Sequence, residues 1–165
     1  MVKILPAGIK DIPIINSLAH SIWPVAYKDI LSNTQMDYML DLHYNPSSLQ
    51  KQIQNQSHQF LILYFNDEPS GFASFSAEPG FADTYKLHKL YVQTKQQGAG
   101  FGKALLNHVI DLIKKDDGKY LRLNVNRNNK ALQFYLKHNF RIVAEEDVDI
   151  GNGYFMNDYI MQKKL

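Results

Sequence analysis

The spacing of apolar residues changes along the chain between a helical period and a strand-like pattern. After Asp11, apolar residues recur every three or four positions until Trp23-Pro24, which is typical of an amphipathic helix that the proline ends. The same period is strongest over Gly100–Lys115, where one apolar stripe runs the length of the segment. Gln59–Phe65 is instead a short apolar run, which favours a buried strand. The chain is therefore predicted to mix helices and strands.

The predicted elements make one mixed α/β domain over residues 1–165. Besides the two helices above, three shorter ones are predicted: Thr34–Leu42 with Thr34 as N-cap, Ser47–Asn55, and Lys130–His138 with Asn128 or Asn129 as cap. The predicted strands are Val2–Leu5, Gln59–Phe65, Gly71–Ala77, Thr84–Val92, Tyr120–Val125, Phe140–Asp149 and Tyr154–Lys163. Turns at Asn66–Pro69 and Gly151–Gly153 place hairpins towards both ends of the sheet.

Composition narrows the class of protein. A hydrophobic content of 45% and a charged content of 21% are ordinary for a soluble globular domain. The chain has no cysteine, which excludes disulfides, thiolate metal sites and a cysteine nucleophile. We expect no metal site. A net charge of +2 is too small to indicate nucleic-acid binding by itself.

The expected location is the cytoplasm. Strand-like Val2–Leu5 follows the first methionine directly, so we expect no signal peptide. No apolar run approaches the ~18 residues of a membrane span, so no membrane partner is expected. The sequence leaves open whether the chain is a monomer or a homodimer.

A glycine-rich stretch, Gln97-Gly98-Ala99-Gly100-Phe101-Gly102-Lys103, ends a strand-like run and opens the longest predicted helix. Glycines let the backbone adopt conformations that a side chain would forbid. Amide groups bared at a helix N-terminus bind phosphate oxygens, and the helix dipole and Lys103 add positive charge. The predicted ligand is anionic, with a pyrophosphate favoured, although a plain tight turn before a helix would use similar residues.

Two familiar phosphate-binding patterns do not fit this stretch. A Walker A loop needs glycine five residues before its Gly-Lys pair and a hydroxyl residue after it, whereas Gln97 and Ala104 stand there. A dinucleotide-binding fingerprint that starts at Gly98 would need glycine where Lys103 stands.

The stretch resembles motif A of the GCN5-related N-acetyltransferases (GNATs), because Gln97, Gly100 and Gly102 occupy the fixed positions of its Gln/Arg-x-x-Gly-x-Gly/Ala pattern. A second resemblance, to motif B of the same family, is carried by residues farther along the chain: Leu123-Asn124-Val125, Asn128, Ala131, Phe134-Tyr135, Lys137 and Phe140. The family commonly has glycine where this chain has Asn139, and asparagine is the next-best residue for a left-handed helix end.

The resemblance implies the GNAT fold: a central, mostly antiparallel sheet with one splayed parallel strand pair, flanked by helices. It implies that acetyl-CoA binds where Thr84–Val92 and Tyr120–Val125 part, with the pantetheine arm between them like an added strand. The implied cofactor-binding residues are Leu90, Tyr91, Val92, Gln97, Gly98, Ala99, Gly100, Phe101, Gly102, Lys103, Asn128, Ala131, Tyr135 and Lys137.

The resemblance also implies direct acetyl transfer to an amine within a ternary complex, which agrees with the absence of cysteine. Tyr135 is the predicted acid, because it matches the family's acid tyrosine and a phenol with a pKa near ~10 stays protonated at neutral pH; it could equally be a core aromatic. His88 is a candidate base, since an imidazole pKa near ~6.5 suits that role. By the period of two, Lys86, His88, Leu90 and Val92 would share a strand face.

Several alternatives stay open for the base and for the acceptor. A relayed water could replace a side-chain base, and Asp158, Tyr159 and Glu78 are weaker candidates. The expected partner is a small-molecule amine, and a similarity to bacterial polyamine-type GNATs suggests a small polyamine. Candidate acceptor-binding aromatics, which could also be core residues, are Trp23, Tyr27, Tyr38, Tyr154 and Tyr159, with Tyr44 and Phe155 beside them. Rival hypotheses are a non-catalytic acyl-CoA-binding module, a protein N-terminal or lysine acetyltransferase, and a nucleotide-binding protein.

Overall fold

The computed structural model describes all 165 residues of the chain. Seven strands form one sheet: β1 (Val2–Ala7), β2 (Gln59–Phe65), β3 (Glu68–Ala77), β4 (Thr84–Val92), β5 (Tyr120–Asn126), β6 (Arg141–Gly151) and β7 (Tyr154–Lys164). Their order is β1-β2-β3-β4-β5-β7-β6, and every neighbouring pair is antiparallel except β4 and β5. This confirms the predicted mixed sheet with a single parallel pair.

Helices cover both faces of the sheet. The five α-helices are α1 (Ile12–Ala26), α2 (Asn33–Tyr44), α3 (Pro46–Gln54), α4 (Phe101–Lys115) and α5 (Ala131–Lys137). One buried cluster joins α1, α2 and α3 to one face of the sheet, and a second joins α4 and α5 to the other face. No helix is long and apolar enough to cross a membrane.

The apolar stripe of α4 explains why this helix fixes the sheet. Leu105, Val109 and Ile113 are fully buried and recur at helical spacing against alternate strand residues. Full burial of such a side chain contributes about 1.5–3 kcal/mol. The helix ends where the amide of Gly118 donates to the carbonyl of Ile113 at 2.9 Å, but the left-handed residue of this turn is Asp117, with a φ of 60°, and not the glycine. Helix α4 thereby packs against β3 and β4.

Several helix boundaries differ from the sequence prediction by one to three residues, and two of these differences have a clear physical cause. Helix α1 continues through Pro24 to Ala26, because a proline near a C-terminus removes one helical hydrogen bond and the last turn still closes through Tyr27. Helix α2 begins at Asn33 and not at Thr34, since the hydroxyl of Ser32 accepts from the amide of Gln35 and serves as the N-cap. Asn139 adopts the expected left-handed conformation after α5, with a φ of 66°.

Strands β4 and β5 pair only over their first halves. The parallel register runs from Thr84 opposite Tyr120 to Leu87 opposite Leu123, and beyond these residues the two strands no longer pair. The facing edges of both strands are therefore free within the molecule, which agrees with the expected splayed pair.

Strand β4 also contains a bulge. Lys89 pairs with Ser74 and Leu87 pairs with Phe75, so His88 is an extra residue on this strand. His88 and Lys89 consequently both project towards the face covered by α1, α2 and α3, while Leu90 packs in the α4 cluster. The predicted common face for Lys86, His88, Leu90 and Val92 is wrong, because the extra residue shifts the alternation by one position.

Candidate active site

The start of α4 carries a set of amides without protein partners. Gly98 and Gly100 have φ values of 88° and 83°, which turn the backbone so that successive N–H groups face outwards. Five amides at this corner donate no hydrogen bond within the protein: Gly98, Gly100, Phe101, Gly102 and Lys103. A Cβ built on Gly98 or Gly100 would meet no atom within 4 Å, so the space above the amides is open. The corner therefore fits an anion such as a diphosphate.

Two of the predicted loop residues use their amides differently. The amide of Gln97 donates to the carbonyl of Thr94 at 3.1 Å, and that of Ala99 donates to the carbonyl of Gln96 at 3.3 Å. These two bonds hold the loop in shape, which leaves anion binding to the other five amides.

A cavity of about 760 Å³ extends from this corner to the unpaired end of β4. Most of the predicted cofactor residues line it: Leu90, Tyr91, Val92, Gln97, Gly98, Gly100, Phe101, Gly102, Lys103, Asn128, Ala131 and Tyr135. We call it the donor cleft. Ala99 and Lys137 do not line it, because Ala99 lies on the outside of the loop and Lys137 lies on the far side of α5 from Tyr135.

One wall of the donor cleft is absent from the sequence prediction. The end of α1 and the loop after it supply Val25, Ala26, Lys28, Asp29 and Ile30. These residues lie far from the glycine stretch in sequence and carry no motif, so no local signal marks them.

A second cavity, of about 370 Å³, lies on the face of the sheet covered by α1, α2 and α3. We call it the acceptor cavity. It shares six lining residues with the donor cleft: Tyr27, Leu90, Tyr91, Asn129, Ala131 and Tyr135. The two cavities therefore meet beside the free edge of β4.

Tyr135 lies at this junction. Its side chain is 8% exposed, and its ring packs edge-on against Phe134 and Phe140. Its hydroxyl is not bonded to any other protein group, and burial raises the pKa of the phenol. Tyr135 is thus both a core aromatic and a free proton donor that faces the two cavities.

His88 lines the acceptor cavity, but its surroundings argue against the predicted role as a base. Its Nε2 lies 2.7 Å from the hydroxyl oxygen of Ser76, and its ring stacks on that of His58 at 3.8 Å. Burial lowers the pKa of His88 to about 2, with contributions from His58 and two lysines. A neutral imidazole with so low a pKa is a poor acceptor for the proton of an ammonium group.

Asp158 lies at the β5–β7 side of the acceptor cavity and is 7% exposed. Its Oδ2 accepts from the side-chain amide of Asn124 at 3.3 Å, whereas its Oδ1 is buried without a partner. Burial raises the pKa of this carboxyl, and the neighbouring Glu146 adds to the effect. An unpartnered carboxylate oxygen in a cavity is suited to bind an ammonium group.

The opposite side of the acceptor cavity is basic. Lys89 is 9% exposed, and its ammonium donates to Oε1 of Gln52 at 2.7 Å between the rings of Tyr44 and Phe60. Burial lowers the pKa of Lys89 to about 7. His43 and His58 lie near Lys89, whereas Lys86 also lines the cavity and is close enough to Asp158 to oppose the rise in the pKa of its carboxyl.

The structure separates the predicted acceptor aromatics into two groups. Trp23 and Tyr27 line the acceptor cavity, as does Tyr44, and the hydroxyl of Tyr27 lies 2.9 Å from that of Tyr91. Tyr38, Tyr154 and Tyr159 do not line it. The rings of Tyr38 and Tyr154 pack against each other at a tilt of 43°, with their centroids 5.5 Å apart, and Tyr159 packs against the α4 cluster.

The sequence analysis did not predict five polar residues of the acceptor cavity as site residues. His43, Gln52, His58, Lys89 and Asn124 come from separate elements, and only the folded sheet brings them together. Glu78, a weaker base candidate, lines neither cavity.

Comparison with known proteins identifies relatives of the whole chain. A family model described as an acetyltransferase (GNAT) domain matches residues 31–162. The fold is similar to the PaiA N-acetyltransferase from Thermoplasma acidophilum, solved in complex with coenzyme A, with 25% identity, a TM-score of 0.84, and coverage of 100% of this chain and 99% of that one.

Two further structures share the fold. The GCN5-related N-acetyltransferase from Rhodopseudomonas palustris has 19% identity and a TM-score of 0.82, with 99% of this chain and 95% of that chain covered. The ribosomal-protein-S18-alanine N-acetyltransferase from Escherichia coli has 19% identity and a TM-score of 0.74, with 99% and 94% covered.

Proposed function

Because this chain belongs to the GNAT acetyltransferase family, we propose that it transfers the acetyl group of acetyl-CoA directly to a primary amine held in the acceptor cavity. The chain is an N-acetyltransferase, and acetyl-CoA is its donor. The observation that carries the proposal for the amine is the junction at Tyr135, where a donor cleft and a separate polar cavity open onto one proton donor.

The donor cleft fits coenzyme A by its chemistry. The free amides at the start of α4 would hold the diphosphate, and Lys103 adds positive charge there. The free edge of β4 around Leu90 to Val92 would bond the amide groups of the pantetheine arm. Both sets of contacts use main-chain groups.

The reacting groups would meet beside Tyr135. Acetyl-CoA supplies a thioester carbonyl, which the neutral amine attacks so that an N–C bond forms as the C–S bond breaks. The phenol of Tyr135 would give its proton to the departing sulfur. A main-chain N–H near Leu90 or Tyr91 would stabilise the negative charge on the carbonyl oxygen. Holding both reactants in line removes much of the entropic barrier.

Asp158 supports an amine as the acceptor. Its unpartnered oxygen would receive the incoming ammonium group, and the same carboxylate or a water beside it would take the proton that the amine must lose. Its raised pKa favours this role over His88, whose imidazole is far less basic.

Two observations bear on the type of amine. The resemblance of the sequence to polyamine-type enzymes makes a small polyamine one candidate, and Glu146 next to Asp158 would support a second ammonium group. The basic side of the cavity favours a different acceptor, which is developed below. A peptide N-terminus or a lysine side chain is the protein-based alternative.

Release of free CoA from acetyl-CoA with a panel of primary amines tests the proposal. We expect turnover with at least one small amine, and initial-rate lines that intersect because both substrates bind before reaction. Binding of acetyl-CoA without turnover on any amine would favour a non-catalytic module. Parallel lines, together with an acetylated protein after incubation with acetyl-CoA alone, would contradict direct transfer.

A further inference from the structure

We propose that the preferred acceptor is a small amine that also carries an anionic group, a carboxylate or a phosphate, which binds the basic side of the acceptor cavity at Lys89. This inference rests on the proposed transfer to an amine and names the substrate class of the same site. It follows from the unequal charge within one cavity, with Asp158 on the side of β5 and β7 and the buried Lys89 on the side of α2, α3 and β2.

Neighbouring residues hold the ammonium group of Lys89 in a defined, buried position on the basic side of the cavity. Lys89 projects from the bulge of β4 into the space between α2, α3 and β2, where Gln52 and the rings of Tyr44 and Phe60 hold its ammonium. The bulge is what directs Lys89 to this face, since regular alternation after His88 would have turned it away.

Lys89 has no counter-ion. None of the four salt bridges in the protein involves Lys89 or Lys86, and the partner of Lys89 is the neutral amide of Gln52. Buried charges are normally paired, because removing a charge from water without a partner is unfavourable. A buried, unpaired ammonium that lines a ligand cavity is therefore suited to receive an anion from the ligand.

The ionisable groups around Lys89 are also basic and not acidic. The titratable groups that face it are His43 of α2, His58 before β2, and Lys86 and His88 of β4. The buried Nδ1 of His58 has no partner, so it has a hydrogen bond free to give or accept. No carboxylate from this side lines the cavity, and Asp158 is its only acidic residue.

The two sides together select the acceptor. Asp158 binds the amine, and Lys89 attracts a negative group on the same molecule. A polyamine would instead present a second cation to Lys89, where a cavity of low dielectric strengthens like-charge repulsion. A volume of about 370 Å³ suits a small molecule that reaches across both sides.

A matched set of acceptors with one carbon skeleton tests this selection. γ-Aminobutyrate carries an anionic tail, butylamine a neutral tail and putrescine a cationic tail, while phosphoethanolamine provides the phosphate arm. We expect kcat/KM for γ-aminobutyrate or phosphoethanolamine to exceed that for butylamine by roughly tenfold or more, with putrescine the poorest. Putrescine or butylamine as the best acceptor would overturn the inference and leave the proposed transfer to an amine intact.

Two variants locate the source of the selection. Lys89→Met keeps the aliphatic stem and should bring kcat/KM for the anionic and neutral amines to similar values. Lys51→Met changes an exposed lysine of α3 that does not line the cavity, and it should leave the preference unchanged. An unchanged preference in Lys89→Met would overturn the role of Lys89.

A measurement on the unaltered protein does not depend on the variant folding or on any turnover. Butyrate, which has the anion but no amine, should bind the protein saturated with CoA, as measured by calorimetry, and its affinity should fall above pH 7 because the pKa of Lys89 is about 7. Absence of butyrate binding would contradict the inference. Binding of butyrate with no turnover of any amine would support the anion site and contradict the proposed transfer.

Discussion

The donor cleft and the acceptor cavity are neighbours that use different parts of the chain to bind. The donor cleft offers five free main-chain amides and a free strand edge, so most of its polar contacts come from the backbone. The acceptor cavity offers side chains, among them Asp158, Lys89 and three histidines of lowered pKa. Backbone groups do not change when a side chain is substituted, whereas each polar group of the acceptor cavity can be altered by one substitution.

This difference suits the two ligands. A site built from main-chain groups keeps its affinity for the donor while side chains elsewhere vary. The acceptor cavity can change its charge without disturbing the donor cleft, since the two share only six lining residues. A substitution should therefore affect one ligand and spare the other, except at the shared residues.

Tyr135 lines both cavities, and its substitution should affect the reaction between the two ligands and not the binding of either one. Tyr135→Phe keeps the packed ring and removes the proton donor, so we expect kcat to fall by about 100-fold with both amine and acetyl-CoA affinities nearly unchanged. Steady-state kinetics and calorimetry measure the two effects. Tyr85→Phe, which packs against the same cluster outside both cavities, is the matched control. Undiminished turnover in Tyr135→Phe would remove the phenol from the mechanism.

Gly100→Val should weaken the binding of the donor and leave the acceptor cavity unchanged. A valine at a φ of 83° is strained, and its side chain would enter the open space in front of the free amides. We expect the Kd of acetyl-CoA to rise by roughly tenfold or more. Gly80→Val imposes the same strain at a φ of 82° in a loop outside the cleft, and it should leave that Kd unchanged. Equal affinities for the two variants would mean that the corner does not bind the donor.

Asp158→Asn should weaken the binding of the amine and leave the donor cleft unchanged. The amide keeps the shape but loses the charge that holds the ammonium, a contact of about 1.5–3 kcal/mol. We expect the KM of the amine to rise by roughly tenfold while the Kd of acetyl-CoA stays constant. Asp111→Asn on the exposed side of α4 is the control. If only the Kd of acetyl-CoA changed, Asp158 would contact the donor and not the amine.

The smallest expected effect concerns stability and pH. Burial lowers the pKa of Lys89 from 10.5 to about 7, so between these values the unfolded chain holds a proton that the folded chain releases. The free energy of unfolding should therefore rise with pH across this window in the parent protein and not in Lys89→Met. Thermal melts at pH 7 and pH 10 should differ in this way by a few degrees. Parallel pH profiles would show that Lys89 has an ordinary pKa.

The same contrast explains how much could be predicted from the sequence. The bounds of β2 and β4 match the prediction residue for residue. Strand β2 is an apolar run that ends at the turn residues Asn66-Asp67, and β4 begins directly after Asp83, a residue of left-handed conformation. The glycine corner could be predicted because its binding groups are consecutive residues. Ser32 was overlooked as a cap because Thr34 offers a similar hydroxyl two residues later.

The acceptor cavity could not be predicted in the same way. Gln52, His58 and Lys89 are distant in the sequence, and nothing in the residues around each one marks it as a site residue; Asp158 was named only as a weaker candidate base. The run Lys86-Leu87-His88-Lys89-Leu90 is compatible with more than one alternation of faces, so the period of two did not reveal the bulge. Tyr38 and Tyr154 were predicted to bind the acceptor because they are aromatic, but their rings pack against each other.

The bulge and the parting of β4 from β5 occur at the same point of the chain, since pairing ends at Leu87 and the inserted residue is His88. A strand one residue shorter would keep its partners in β3 and alternate regularly, and nothing would then bend it away from β5. We expect a chain lacking His88 to melt no lower than its parent and to lose CoA binding, and a deletion variant that still binds CoA would refute this. The one extra residue in β4 would then be what allows this α/β fold to bind its cofactor.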